Sequence, residues 1–371
     1  MKLSPHGNYK KIGELKLVKG AACAWISHVV ADPQWDEFLQ STSLGQFQQS
    51  AMWAQAKTAE GWKSARIVLT LDDEIAGGFQ MLWRPSWRGR IGYVSKGPVV
   101  SPPFPELLEF AADLLKQVAR SEKLRVLVVQ PPDLCDQFSP QLAAHGFELD
   151  VLAGVNDCTW MIDVRNGFPA VEEQMSKWTR KKIRQAVNRG VSVREGTRGD
   201  VGKFFQLMLA TCRRQGVEPS PSDERTMLAL WDAADSAKRI RLTLAEHEGK
   251  ELAGLVSIVF GGTVSLWKKG WISSEAQLHP NELLMDESLR WACANGFHFA
   301  DFCAFDKQMA TTILSGQPLS AEQEKSRHTF NVRLGGRPVL LPKAMTYLPN
   351  RVFRSAYCSV FREKIRRAAQ A

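Results

Sequence analysis

No run of about 18 apolar residues occurs in the 371-residue chain, so no transmembrane helix is expected. The opening stretch MKLSPHGNYKKIGELKLVKG is charged and lacks both the apolar run and the small-residue cleavage site of a secretory signal. The seven cysteines are scattered and odd in number, with no CxxC pair. A reduced, cytoplasmic protein with mostly buried thiols is the simple expectation. The seven histidines are also scattered, and His247-Glu248 is not followed by a second histidine at metal spacing, so no zinc site is expected. Neither a Walker A loop nor GxGxxG is present, which removes both common nucleotide motifs.

Charge of one sign is present in excess. Lys and Arg number 48 against 39 Asp and Glu, a formal net charge of +9. That surplus favours an anionic partner: nucleic acid, a membrane surface or a phosphorylated substrate. It is concentrated in SKWTRKKIRQAVNRGVSV, residues 176–193, inside a segment with no acid between Glu173 and Glu195. The spacing predicts a helix with Trp178, Ile183, Ala186 and Val187 near one face, ended by Gly190 in a left-handed cap. Its cations either form a solvated face or dock an anion. A second basic stretch, NRVFRSAYCSVFREKIRRAAQ, carries a helical stripe of Phe353, Tyr357, Val360, Phe361 and Ile365 ringed by arginines. It either packs on the first domain or lies on an anionic membrane.

The chain also repeats itself. SARIVLTLDDEIAGGFQMLWRP and IRLTLAEHEGKELAGLVSIVFG each read as a β-hairpin, with Ala76-Gly77 and Ala253-Gly254 at matching places. Each is followed by a strand, a helix opening near Glu-Leu-Leu (Glu106 and Glu282), and another strand. Two markers at nearly one spacing indicate duplication of a mixed α and β unit. The order is that of the GNAT acyltransferase fold, so the expected class is α/β with mixed sheets in two tandem GNAT-like domains. The expected bounds are residues 22–155 and 156–340, with 341–371 returning to the first. The loops where such a fold would hold the CoA pyrophosphate, KGPVVSPPFPELL and ISSEAQLHPNELL, lack the RxxGxG/A pattern. Pro102, Pro103 and Pro105 remove three potential N–H donors from the first.

Six stretches in order resemble the Fem family of aminoacyl-tRNA-dependent peptidoglycan bridge transferases. They are FQQSAMWAQAK, YVSKGPVV, the segment from TWMIDV through IRQAVNRGVSV, LMLATCRRQGV, LAGLVSIVFGG and WACANGFHFADF. The resemblance implies transfer of an amino acid from aminoacyl-tRNA to an amine on a peptidoglycan precursor, with no cofactor. It implies that Lys57 holds the precursor's diphosphate and matches Arg214 to an arginine that serves the same substrate. Arg333 is further expected to bind substrate, at the ester carbonyl or the tRNA terminus, and Arg180, Lys181 and Arg184 are expected to bind tRNA. The family's Phe-Lys-x-x-Phe-Gly appears here as FNVRLGG, which puts Asn331 where relatives carry lysine. Asn331 is expected to help hold the ester, and Asp301 or Asp306 to accept a proton from the attacking amine. The expected setting is a monomer in the cytoplasm, at the inner face of the membrane. An acyl-CoA-dependent N-acyltransferase of exopolysaccharide or envelope biosynthesis and a non-catalytic binding protein stand as alternatives.

Overall fold

The computed structural model describes residues 8–370 apart from 18, 19, 88, 134 and 136. The chain divides into two compact units, Met1–Asp157 with Leu341–Ala371, and Cys158–Leu340. The first unit contains β1 (Lys10–Lys16), β2 (Ala21–Ser27), α1 (Pro33–Ser41), α2 (Ala51–Thr58), β3 (Lys63–Leu71), β4 (Glu74–Ser86), β5 (Gly89–Ser95), β6 (Val99–Val100), α3 (Pro105–Ser121), β7 (Leu124–Gln130), α4 (Phe138–Ala144) and β8 (Glu148–Leu149). The second contains β9 (Cys158–Asp163), α5 (Gly167–Gln174), α6 (Lys177–Asn188), β10 (Ser192–Glu195), α7 (Val201–Gln215), α8 (Glu224–Ala234), β11 (Ile240–His247), β12 (Lys250–Phe260), β13 (Thr263–Trp271), α9 (Pro280–Ala294), β14 (Phe299–Asp301), α10 (Lys307–Leu314), α11 (Ala321–Lys325), α12 (Thr329–Leu334) and β15 (Arg337–Leu340). The chain then returns to the first unit with β16 (Met345–Tyr347), α13 (Arg351–Val360) and α14 (Arg362–Gln370).

Two-residue turns close both repeated hairpins. Asp72 and Asp73 (φ 49° and 65°) join β3 to β4, and Glu248 and Gly249 (φ 50° and 75°) join β11 to β12. Positive φ at both central residues is the type I′ geometry whose twist matches the flanking strands. Leu69 faces Gly77 in the first hairpin and Leu244 faces Gly254 in the second. Each ladder also slips by a residue next to that point, between Leu69 and Thr70 and between Ala245 and Glu246. The Ala-Gly pairs therefore occupy equivalent places. The strand after each hairpin runs parallel to the strand after the next helix, β5 with β7 and β13 with β14.

The sheets are completed from elsewhere in the chain. The first has the order β1-β2-β3-β4-β5-β7-β16-β8, with β6 on β4, and the second β10-β11-β12-β13-β14-β9-β15. β16, from the returning tail, lies antiparallel to β7, with Met345 opposite Val129. β9 takes the same place beside β14, with Ala300 opposite Ile162. The tail thus contributes a strand as well as helices. The first unit also begins before residue 22, because β1 pairs along β2. In the first unit, α3 buries Leu107, Leu108, Ala111, Leu114, Leu115 and Val118 against the sheet. In the second unit, α9 lies in the core with β9, β12 and β13, while α7 and α8 build a separate core with Leu242, Leu244 and Val256.

The FQQS stretch at residues 47–50 has a structural duty. Gln49 is fully buried. Its Nε2 donates to Ser95 O at 2.7 Å and Gln80 O at 3.3 Å, and its Oε1 accepts from Gln80 N at 2.7 Å. Gln80 in turn donates to Ser50 O at 2.7 Å and accepts from the buried Arg66 guanidinium at 2.9 Å. One side chain therefore satisfies backbone groups of β4 and β5 where a turn crosses the sheet. Gln49→Ala leaves those groups unpaired and opens a cavity. We expect a loss of about 3 kcal/mol in unfolding free energy by urea denaturation.

Candidate active site

The two central strands of the second unit part because one is shorter than the other. β13 and β14 pair only from Thr263 with Phe299 to Ser265 with Asp301. β14 ends there and β13 continues to Trp271, so among the described residues the second half of β13 has β12 on one edge and no strand on the other. A register shift between Val256 and Ile258 changes which face that half presents. Before it, Val264 and Leu266 belong to the α9 core. Beyond it, Trp271 belongs to that core, and a Cβ added to Gly270 would meet Met208 N of α7 at 2.3 Å. Strict alternation from Leu266 would have put Lys268 on the α9 side. The bulge puts Lys269 there instead, with its Nζ 4.1 Å from the centroid of Phe330 on α12.

The first turn of α9 acts on Lys269 through charge. Glu282 is 8% exposed, and its carboxyl is pushed up by burial and pulled back by its own backbone N–H, Lys269 and Lys182. Burial lowers Lys269 to about 8, partly offset by Glu282. The ammonium of Lys182, on α6, lies 3.1 Å from Nε2 of His279, the residue before α9. Burial, Lys182 and Arg189 all hold the His279 pKa down, so the neutral ring accepts from Lys182. The buried Oδ1 of Asn281 has no hydrogen-bond partner among the described residues.

α6 supplies the cationic side. The Ser176 hydroxyl caps it by accepting from Thr179 N at 3.1 Å, and Gly190 (φ 80°) follows its end. Ser176 N and Thr179 Oγ1 both donate to Arg333 O, which fastens α12 to the start of α6. Thr179 and Ala186 are buried, whereas Trp178 and Val187, expected on the inner face, are 44% and 56% exposed. Trp178 lies instead under two cations, Arg333 at 4.7 Å and Lys182 at 5.4 Å from its ring. Among the described residues, no carboxylate lies within 4 Å of Lys177, Arg180, Lys181, Lys182, Arg184 or Arg189.

The expected site residues are only partly brought together. Asn331 and Arg333 sit on α12 beside Phe330, and the whole stretch 329–334 is a short helix. Arg214 ends α7, with its guanidinium 4.4 Å from the Trp271 ring and donating to Trp271 O at 3.3 Å, two residues along from Lys269. Arg180 donates to Glu172 O at 3.0 Å at the end of α5, while Lys181 and Arg184 are exposed. Lys57, in the first unit, donates to both oxygens of Glu60 at 2.8 and 2.9 Å and stands 4.9 Å over Trp53. The expected proton acceptors carry structural duties. Asp301 Oδ1 accepts from Thr159 Oγ1 and from Cys303 N, the latter at 2.8 Å. Asp306 is the N-cap of α10, accepting from Met309 N at 2.7 Å. Lys269, Glu282 and the Lys182–His279 contact were not read from the sequence. No local signal marks a bulge that exchanges the faces of two adjacent lysines. Asp306→Ala should cost about 1 kcal/mol of stability, the usual value of a lost N-cap, in chemical denaturation.

Comparison with known proteins follows this division. Residues 30–150 match the FemAB family, and residues 174–308 match an acetyltransferase (GNAT) domain. A lipid II:glycine glycyltransferase of Staphylococcus aureus is 24% identical over 317 residues, 81% of this chain and 75% of that protein. The Staphylococcus saprophyticus subsp. saprophyticus protein of the same name is 28% identical over 199 residues, 50% of this chain and 48% of that protein. The crystal structure of FemX superposes with a TM-score of 0.76 at 18% identity, covering 89% of this chain and 99% of that one. A tandem GNAT protein from the clavulanic acid biosynthesis pathway does so with a TM-score of 0.52 at 11% identity, over 88% and 99%. The last two likenesses concern the fold.

Proposed function

The chain belongs to the Fem family of tandem GNAT-like acyltransferases, and on that premise we propose that it joins an amino acid, delivered as its ester on tRNA, to an amine of a peptidoglycan precursor. The acceptor amine adds to the ester carbonyl, the amide forms, and the tRNA leaves as the free hydroxyl. The ester is already activated, so positioning and a neutral amine supply much of the rate. The carrying observation is the face of α6. Its cations have no carboxylate partners within 4 Å among the described residues, and through Lys182 and Trp178 that helix reaches His279, just before α9, and Arg333 on α12. A helix face of cations without carboxylate partners suits a donor whose carrier is a polyanion.

The first turn of α9 disfavours acyl-CoA. Pro280 removes an N–H where a pyrophosphate would need one, and Glu282 brings a carboxylate to that turn. In the first unit, Lys57 suits a diphosphate, which would take the place of Glu60 on its ammonium. In the second unit, Arg214 beside Trp271 is a cation that suits an anionic substrate group. No helix among the described residues is long and apolar enough to cross a membrane. Contact with an anionic membrane would fall to the exposed arginines of α13 and α14.

The test offers the purified protein charged tRNA, acyl-CoA or neither, with a peptidoglycan-precursor extract, and reads the mass of the extract. An aminoacyl mass increment requiring charged tRNA is expected. A product formed only with acyl-CoA would move the donor to CoA. Exchanging Arg180, Lys181 and Arg184 together for Gln should leave the melting temperature nearly unchanged, because exposed charges contribute little. It should weaken tRNA binding and reduce its logarithmic salt slope by about two to three units. An unchanged slope would make the helix an ordinary solvated face.

A further inference from the structure

We propose that Lys269 is a catalytic residue of the acyl transfer, donating a hydrogen bond to the carbonyl oxygen of the donor ester and to the oxyanion formed there when the acceptor amine adds. The proposal rests on the transferase reading above and names a residue that performs it. Four observations support it. Lys269 lies on the half of β13 that β14 leaves unpaired. The register shift places it on the side of α9 and α12. Its ammonium stands 4.1 Å from the Phe330 ring, one residue from Asn331. Among the described residues it has neither a hydrogen bond nor a carboxylate within 4 Å. An ammonium held against an aromatic face with its donors uncommitted interacts most strongly with charge that develops beside it, where water is scarce.

The surrounding charges fit this role. The charge of Glu282 on α9 favours the protonated form of Lys269, while Lys182 from α6 acts on Glu282 in turn. Arg214 from α7 stands at the strand end over Trp271, and α12 contributes Phe330, Asn331 and, toward Trp178, Arg333. In the reaction the amine nitrogen bonds to the carbonyl carbon and the carbonyl π pair moves onto the oxygen held by Lys269. Collapse restores the carbonyl, breaks the ester C–O bond and releases the ribose oxygen, which leaves with the proton the amine gives up. Lys269 stays protonated throughout. Burial holds it near 8, so the fraction able to donate falls as pH rises through that value.

The experiment measures aminoacyl transfer from charged tRNA against pH for the wild type, Lys269→Met and Lys269→Arg, with a thermal melt of each. The wild type should lose kcat/KM on an alkaline limb near 8. Lys269→Met should lower kcat by about a hundredfold or more, as loss of one oxyanion donor does, and leave the acceptor KM nearly unchanged. It should melt no lower than the wild type, because it removes a poorly solvated charge. Lys269→Arg stays charged at every accessible pH, so it should keep part of the activity and lose the alkaline limb. Lys269→Met turning over within twofold of the wild type would overturn the proposal, as would an alkaline limb that persists in Lys269→Arg. A wild type that transfers no amino acid from charged tRNA overturns the transferase reading first, and this proposal with it.

Discussion

The parting of β13 from β14 is the constraint on which the second unit's chemistry depends. Three parallel pairs hold the two strands together, and then one strand stops. The unpaired half of β13 must be covered by something other than a strand. α12 brings Phe330 to Lys269, and the charge of Glu282 in the first turn of α9 acts on the same ammonium. The close approach of β13 to α7 depends on Gly270, whose missing side chain lets the strand lie against the backbone of Met208. The bulge then turns Lys269 toward α12 and leaves Lys268 on the opposite side. A glycine, a bulge and an early strand end thus act together on one ammonium.

The electrostatics of that corner are coupled rather than paired. Lys269 and Glu282 are both poorly solvated, and each favours the charged form of the other without a direct salt bridge. A contact ion pair would satisfy both groups and leave neither free to meet a reacting atom. The surface of α6 differs in that Lys177, Lys181 and Arg184 are exposed and, among the described residues, have no carboxylate within 4 Å. The unit therefore combines a poorly solvated cation suited to developing charge with exposed cations suited to a polyanion. Trp178, under Arg333 and Lys182, links the two regions.

The two units use one plan with different finishing strands. Both have a type I′ hairpin with a slipped residue, then a strand, a helix and a parallel strand. The place beside that parallel strand is filled in the first unit by β16, from the end of the chain, and in the second by β9, which precedes its hairpin. The tail is therefore a component of the first sheet. Its helices carry the exposed arginines, while the Tyr357 hydroxyl anchors α13 by donating to Leu149 O at 3.0 Å.

Local pattern was enough to read the hairpins, the helices beginning near Glu106 and Glu282, and the ending of α6 at Gly190. Alternation, helical spacing and glycine at a left-handed cap depend on near neighbours alone. The motif order carried the resemblance, because six weak stretches in sequence constrain one another, and the FemAB and GNAT matches fall along the same residues. The apolar face expected on α6 is only half buried, with Ala186 in the core and Ile183 packed against it. Trp178 and Val187 are apolar, but the structure buries Thr179 and Ala186 and gives Trp178 to two cations. Asp301 and Asp306 have the right chemistry for a base, yet the fold gives them a hydroxyl, a backbone N–H and a helix N-terminus to hold. Lys57 was legible as a cation, while its engagement with Glu60 required the helix end to be built. Lys269 was hidden most completely. Adjacent lysines differ only in which face they present, and that depends on a bulge set by pairing with another strand. Residue types and local periods are properties of the sequence. Which of two neighbouring charges loses its water is decided by contacts between residues far apart in the chain, and only the tertiary structure makes them.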